Sequence, residues 1–130
     1  MVINLGDVKQ GDYHAITEEI KALKAICGEK ILKVIIEACS LTKDEKVELC
    51  HCVTEGGADF IKTSTGFGSG GATLEDVQLF KKHIGPHVQI KAAGGIRSVE
   101  AMKAYIEAGC TRIGASAAVG LLQNRLDEQV

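Results

Sequence analysis

Tryptophan is absent from this chain of 130 residues, only one proline occurs, and aromatic residues make up 4%. A hydrophobic core must therefore be aliphatic, because 45% of the residues are hydrophobic and so few of them are aromatic. Short aliphatic runs of this kind are typical of strands buried in a parallel sheet. Since domains usually hold about 50–250 residues, we interpret residues 1–130 as a single domain.

The chain has no large excess of either charge and no long apolar run. Its formal net charge is −2, and Lys and Arg are spread along the sequence instead of being clustered, which argues against nucleic acid or an anionic membrane as a partner. No apolar stretch approaches the roughly 20 residues of a membrane span. The first ten residues, MVINLGDVKQ, lack the regions of a signal peptide. We therefore expect a cytoplasmic protein.

Paired cysteine motifs are also missing. The five cysteines are odd in number and show no paired zinc spacing, so reduced and mostly buried thiols are expected. The segment Cys50-His51-Cys52 raises the alternative of a metal site. Residues two apart on a helix point to different faces, however, so we predict no metal.

What the sequence does contain is an alternation of aliphatic runs and amphipathic helices. Helix starts are predicted at Asp12, at Thr42 with Glu45 placed for a capping box, at Thr73 with Asp76 likewise, and at Ser98, with a terminal helix near Ser116. The predicted strands are Met1–Leu5, Leu32–Ala38, Asp59–Thr63, Val88–Ala92 and Arg112–Ala115.

These elements repeat as β/α units. The segments EGGADFIK (55–62) and EAGCTRIG (107–114) share a helix end, a turn and an incoming strand, and Lys33, Lys62 and Lys91 recur every 29 residues. Five parallel strands with right-handed crossovers follow. A closed eight-stranded barrel typically needs about 250 residues, so the chain can form only part of one. The alternative is an open, doubly wound sheet, whose ligand would also bind at the carboxyl ends of the strands.

Lys62 and Lys91 are unusual because lysine is costly inside a buried strand. For one such lysine, a paired or snorkelling side chain is the ordinary explanation. Two on neighbouring strands, about 4.8 Å apart, repel each other and favour a neutral amine, which can attack a carbonyl. The spacing leaves open which is the nucleophile. Lys33 and Glu37, four residues apart on the same nominal strand face, are interpreted as a supporting pair.

Glycine-rich segments follow three consecutive predicted strands. They are residues 66–71, Gly94-Gly95 and the run from Gly114 to Ser116. Glycine allows close backbone approach, and Ser116 precedes a predicted helix whose amino end could bind phosphate. Tight turns would explain each segment singly, whereas their convergence predicts an anion site.

Four segments carry a resemblance to a known family: LKVIIEACSLTKDEK, FIKTSTGFGSGGAT, IKAAGGIRSVEAM and TRIGASAAVG. Together they resemble the deoxyribose-phosphate aldolases, class I aldolases with a (β/α)8 TIM barrel, over nearly the whole chain. The resemblance implies an α/β fold with the fourth to eighth strands of that barrel. It implies reversible cleavage of 2-deoxy-D-ribose 5-phosphate into D-glyceraldehyde 3-phosphate and acetaldehyde, without a metal or an organic cofactor.

The resemblance also assigns residue roles. Lys62 matches the family's Schiff-base lysine, and Lys91 matches the second lysine, which perturbs it and assists proton transfer. The phosphate-contacting positions correspond to Gly66, Gly94, Gly95 and Ser116. Some members have lysine at the position of Phe67 and a second serine at Ala117, so we expect backbone amides to contribute more to phosphate binding here.

The amino end departs from the family pattern. Residues 1–4 resemble the residues that form the family's fourth strand, while three earlier units and a relay aspartate have no counterpart, so slow turnover is expected. The alternative function is a non-catalytic half-barrel that self-associates or complements another chain. Another phosphate-binding enzyme, such as an isomerase, would leave both lysines unexplained. Two unpaired sheet edges and an exposed aliphatic inner face predict a homo-oligomer.

Overall fold

The computed structural model describes the backbone of residues 1–127 and the side chains of residues 1–124. Helices alternate with short strands along the chain. Within residues 1–127 no helix combines the length and the apolar character needed to cross a membrane. The helices are α1 (Leu5–Gln10), α2 (Tyr13–Cys27), α3 (Lys43–Glu55), α4 (Leu74–His83), α5 (Val99–Ala108) and α6 (Ala118–Asp127), with a 3-10 turn at Ala38–Ser40. The strands are β1 (Lys33–Ile35), β2 (Phe60–Lys62), β3 (Gln89–Ala93) and β4 (Arg112–Gly114).

The four strands form one parallel sheet in chain order, β1-β2-β3-β4. The prediction of a fifth strand at Met1–Leu5 is wrong in extent. Only Val2 makes a parallel bridge, to Ile35, because the Asn4 side chain accepts hydrogen bonds from the amides of Gly6 and Asp7 and begins α1 at Leu5. A local cap thus replaces strand pairing after the first few residues.

Side-chain caps begin the helices where the sequence predicts them. Thr42 and Glu45 form the reciprocal capping box of α3, and the Ser98 hydroxyl accepts from the amide of Ala101 at the start of α5. Asp12 and Thr73 cap α2 and α4 in the same manner. The capping box predicted for Thr73 and Asp76 is incomplete, because the Asp76 carboxylate accepts a hydrogen bond from Lys46 instead. The terminal helix α6 begins at Ala118, two residues after Ser116.

The core lies between the helices and one face of the sheet. The side chains of Val34, Ile61 and Ile90 lie on this face and are at most 2% exposed. The opposite face carries the alternate residues. The strand register aligns them in two rows, Lys33-Phe60-Gln89 and Ile35-Lys62-Lys91-Arg112. The inner face is therefore less aliphatic than expected, because the cationic side chains of Lys33, Lys62, Lys91 and Arg112 share it with Ile35 and Phe60.

The five cysteines are free thiols, as predicted. Cys50, Cys52 and Cys110 are buried, whereas Cys27 and Cys39 are partly exposed. Burial raises the pKa of Cys50 to about 12 and that of Cys110 to about 11, so these two thiols remain protonated at neutral pH.

Gly56 allows α2 and α3 to approach closely, and its replacement should destabilise the fold. A Cβ at this position would lie 2.7 Å from the Cβ of Ile20. We expect Gly56→Ala to lower the free energy of unfolding by about 2 kcal/mol through overpacking, measured by urea denaturation. In the control Gly120→Ala, on α6, the added methyl group meets no atom within 4 Å. That change should maintain or raise stability, and equal effects of the two variants would contradict the prediction.

Candidate active site

A cavity of about 370 Å³ lies at the carboxyl ends of β2, β3 and β4. This is the position at which parallel α/β sheets bind ligands. Of the six residues singled out in the sequence, five line the cavity: Lys62, Gly66, Gly94, Gly95 and Ser116. Thr65, Ala93, Ile96, Arg97, Gly114 and Ala115 complete the wall.

The sixth residue, Lys91, lies directly beside Lys62 in the sheet. The register pairs Lys62 of β2 with Lys91 of β3, and Lys91 in turn with Arg112 of β4. The Lys91 side chain runs across the face of Gly114, where a Cβ would approach its Cε to 3.2 Å. Lys62 and Lys91 are therefore neighbours on the sheet face opposite the core. The absence of a side chain at Gly114 leaves room for the side chain of Lys91.

The pKa of Lys91 is lowered from its ordinary value of 10.5. Removal from water is the main cause, and the positive charges of Lys62, Lys33 and Arg112 act in the same direction. Both effects disfavour the ammonium form. Lys91 consequently loses its proton more readily than an exposed lysine.

Lys33 does not pair with Glu37 as the sequence analysis expected. Glu37 adopts φ 53°, which ends the strand alternation on which that pairing depended. Its carboxylate accepts hydrogen bonds from the amide of Thr65, at 3.1 Å, and from the Thr65 hydroxyl. Lys33 lies opposite Phe60 in the register and contributes to the lowered pKa of Lys91.

A buried hydroxyl joins the end of β2 to the end of β3. The Thr63 hydroxyl donates to the carbonyl oxygen of Ala93 and accepts from the amide of Ala93, both at 3.1 Å, and it also accepts from the hydroxyl of Ser64. Thr63 and Ser64 are fully buried. Because Thr63 follows Lys62, these bonds fix the strand end from which the Lys62 side chain enters the cavity.

The loops after β2 and β3 contact each other through their backbones. A side chain at Gly71 would overlap the backbone of Gly94, and Gly94 itself has φ 91°, in the left-handed region that favours glycine. The amide of Ala72 donates to the carbonyl oxygens of Ala93 and Gly94, both at 3.1 Å. The glycines predicted from the sequence thus close one wall of the cavity.

Two further residues of the wall, Thr65 and Arg97, were missed in the sequence. Arg97 follows the Gly94-Gly95 pair and supplies a cation beside the backbone amides. Its position directly after that pair was the available signal. Thr65 gave no signal, because its hydroxyl is oriented by Glu37 from a different β/α unit.

No group of three or more His, Cys, Asp or Glu side chains is placed to hold a metal ion in the part of the chain that is described. The Cys50-His51-Cys52 segment lies within α3, with both cysteines buried and His51 exposed. Among the described residues, this segment therefore belongs to no group of three side chains that could bind one metal ion.

Parallel strands alternating with helices are typical of a β/α-barrel protein, and the predicted α/β class and partial barrel are confirmed. The chain belongs to the DeoC/LacD family of aldolases, whose sequence profile matches residues 2–126.

Comparison with individual proteins supports this assignment. The chain is 64% identical over 123 residues to the deoxyribose-phosphate aldolase of Clostridium botulinum strain Eklund 17B, covering 95% of this chain and 56% of that protein. It is similar in structure to the aldolase QR15, with a TM-score of 0.91 and 38% identity over 98% of this chain and 58% of the other.

A third relative is the tetrameric deoxyribose phosphate aldolase of Aeropyrum pernix, with a TM-score of 0.72 and 30% identity over 91% of this chain and 50% of that one. The chain thus spans about half the length of the relatives it matches.

The low pKa of Lys91 should depend on its neighbour. We expect Lys62→Met to raise the pKa of Lys91 toward 10.5, because one of the positive charges that disfavour its ammonium form is removed. The pH dependence of Lys91 acylation, followed by peptide mass spectrometry, measures this value. The control Lys103→Met removes an exposed lysine from α5 and should leave it unchanged. An unaltered pKa of Lys91 in Lys62→Met would show that the two amines do not interact.

Proposed function

We propose that this chain carries the Schiff-base part of a deoxyribose-phosphate aldolase. The observation that carries the proposal is the pairing of Lys62, which lines the cavity, with Lys91, whose pKa is lowered. The relative from Clostridium botulinum bears the name of this activity. The proposed reaction is the reversible cleavage of 2-deoxy-D-ribose 5-phosphate into D-glyceraldehyde 3-phosphate and acetaldehyde.

The first chemical step forms an imine on Lys62. In its neutral form the Lys62 Nζ attacks the C1 aldehyde of the open-chain sugar, whose oxygen takes up one proton from solvent to give the carbinolamine. Once its hydroxyl is protonated, the carbinolamine loses one water to give the iminium ion. Lys91 lies on the neighbouring strand with a lowered pKa, so it can accept the proton that the attacking amine releases and return it to the departing hydroxyl.

The second step breaks the bond between C2 and C3. Removal of the C3 hydroxyl proton turns C3 into the aldehyde of D-glyceraldehyde 3-phosphate, and the electrons of the broken bond pass into the iminium to leave an enamine. Protonation of C2 and addition of one water then release acetaldehyde and regenerate Lys62. The positive charges of Lys33 and Arg112 favour the neutral form of Lys91 between these steps.

The substrate phosphate would occupy the end of the cavity formed by Gly66, Gly94, Gly95 and Ser116. Ser116 precedes α6 and lines the same cavity as the three glycines, a combination suited to an anion. Arg97 on the same wall adds a positive charge. Phe67, at 97% exposure, projects from the adjoining loop and supplies no charge.

A non-catalytic half-barrel that associates with another chain is the second candidate. It is favoured by the sheet face opposite the core, which carries the cationic side chains of Lys33, Lys62, Lys91 and Arg112. Covering that face would require a partner surface that accepts hydrogen bonds or carries negative charge.

Imine trapping tests the proposed chemistry. Incubation with acetaldehyde and borohydride should give a stable adduct on Lys62, located by peptide mass spectrometry. Lys62→Arg should abolish it because guanidinium remains protonated. Lys91→Arg should retain slower trapping, by about 10²-fold or more, because proton transfer is impaired.

Lys103→Arg on the exposed face of α5 is the matched control and should trap at the unaltered rate. Full and equal trapping in all three variants would remove Lys62 from its proposed role. Absence of an adduct in the unaltered chain would favour the half-barrel without catalysis.

We also propose that the chain forms a homo-oligomer. Among residues 1–127 no strand pairs with the outer edge of β4, and an open strand edge can pair with another chain. The relative from Aeropyrum pernix is described as tetrameric. Light scattering at low micromolar concentration should therefore give a mass above 13.8 kDa. A monomer that unfolds cooperatively at this concentration would contradict the proposal.

A further inference from the structure

Glu37 combines two unusual features. It is the one residue other than glycine with a positive φ in the described part of the chain, at φ 53° and ψ 62°. It is also a carboxylate with only 8% of its surface exposed. Such a backbone conformation is uncommon outside glycine, and where the surroundings enforce it, a functional constraint is often the cause.

The left-handed turn directs the Glu37 carboxylate at the loop that follows Lys62. One oxygen accepts from the amide of Thr65 at 3.1 Å, and the other accepts from the Thr65 hydroxyl. The Thr65 Oγ accepts in turn from the amide of Phe67 at 3.0 Å. The Glu37 carboxylate therefore orients both donors of Thr65 directly. It orients the amide of Phe67 indirectly, through the Thr65 hydroxyl.

Gly68 packs against the same side chain. A Cβ at Gly68 would lie 3.2 Å from the carboxyl carbon of Glu37 and 3.0 Å from the Sγ of Cys39. The loop therefore contacts the 3-10 turn after β1 over the stretch from Thr65 to Gly68. Between these two residues lies Gly66, whose backbone lines the cavity.

Glu37 itself is not among the residues that line the cavity. The Lys62 strand is fixed separately, by its pairing with β1 and β3 and by the bonds of Thr63 to Ala93. Loss of the Glu37 carboxylate should therefore release the loop at Gly66 while leaving the base of the Lys62 side chain in place.

We propose that Glu37 is a positioning residue for the anion subsite, acting through Thr65. It holds the amides of Thr65 and Phe67 through the Glu37 carboxylate and the Thr65 hydroxyl, and thereby presents the backbone of Gly66, which lies between them, to a bound phosphate group. This inference rests on the proposed function only in taking the ligand to be the phosphate of a sugar phosphate. Two bonds to a charged acceptor have to be lost before the loop is released, which makes the effect large enough to measure.

The test uses the full chain with Glu37→Gly and Glu37→Gln. Glu37→Gly removes the carboxylate while accommodating the left-handed backbone, whereas Glu37→Gln retains the backbone conformation and one acceptor oxygen. The affinity for inorganic phosphate is measured from the amide chemical shift of Gly66. Acetaldehyde trapping on Lys62 is measured in parallel, since acetaldehyde carries no phosphate.

We expect Glu37→Gly to weaken phosphate binding by about tenfold or more, with a much smaller change in the trapping rate. Glu37→Gln should fall between Glu37→Gly and the unaltered chain. The matched control is Glu45→Gln, because Glu45 also accepts from a backbone amide but does so at the start of α3. It should bind phosphate as the unaltered chain does.

Unchanged phosphate affinity in Glu37→Gly, or no binding by the unaltered chain, would overturn the inference. A loss of affinity and of trapping in equal proportion would show a general structural role and would also overturn it. If Glu37→Gly does not fold, the same comparison of phosphate affinity with trapping rate is made on Glu37→Gln. Phosphate binding that depends on Glu37 without any acetaldehyde adduct would refute the proposed function and leave the role of Glu37 intact.

Discussion

The alignment of Lys62 with Lys91 on neighbouring parallel strands is the constraint on which the rest of the structure depends. Two cations at the strand separation of about 4.8 Å cannot lie in an aliphatic core without a large cost. The alternation of side chains along each strand resolves this conflict, since Val34, Ile61 and Ile90 face the helices and the lysines face the other side. The lowered pKa of Lys91 is a direct consequence of this arrangement.

The ends of the strands need a second set of contacts, because the strands are short. Thr63 extends the pairing of β2 and β3 with side-chain hydrogen bonds to the backbone of Ala93. The close approach of Gly71 to Gly94 continues the contact between the loops that follow. These contacts hold the cavity wall in place without regular secondary structure, and they explain why small residues are concentrated there.

Much of this architecture could be predicted because it depends on local pattern. The capping box at Thr42 and Glu45 and the caps at Thr73 and Ser98 are encoded within a few residues. The pairing of two lysines on adjacent strands followed from their spacing. The strand at Met1–Leu5 was predicted at too great a length because a single side chain, Asn4, begins a helix within it.

Prediction failed where one β/α unit orients a residue of another. The pairing of Lys33 with Glu37 assumed that the strand continued through Glu37, and the positive φ at that residue cannot be read from side-chain alternation. The contribution of Thr65 to the cavity wall depends on the resulting contact with Glu37, 28 residues away in sequence. Arg97 joins the wall only when the loops after β2, β3 and β4 converge.

The division between strands and loops has a consequence for the proposed chemistry. Removal from water is the main cause of the lowered pKa of Lys91. The positive charges that add to it all lie on strands, at Lys62, Lys33 and Arg112, so their separation is fixed by the hydrogen bonds of the sheet. The proposed phosphate contacts lie on loops, whose positions depend on a few side-chain bonds. Amine reactivity should therefore tolerate loop substitutions that alter ligand affinity. Because strand order follows chain order, consecutive β/α units supply the three positive charges that act on Lys91.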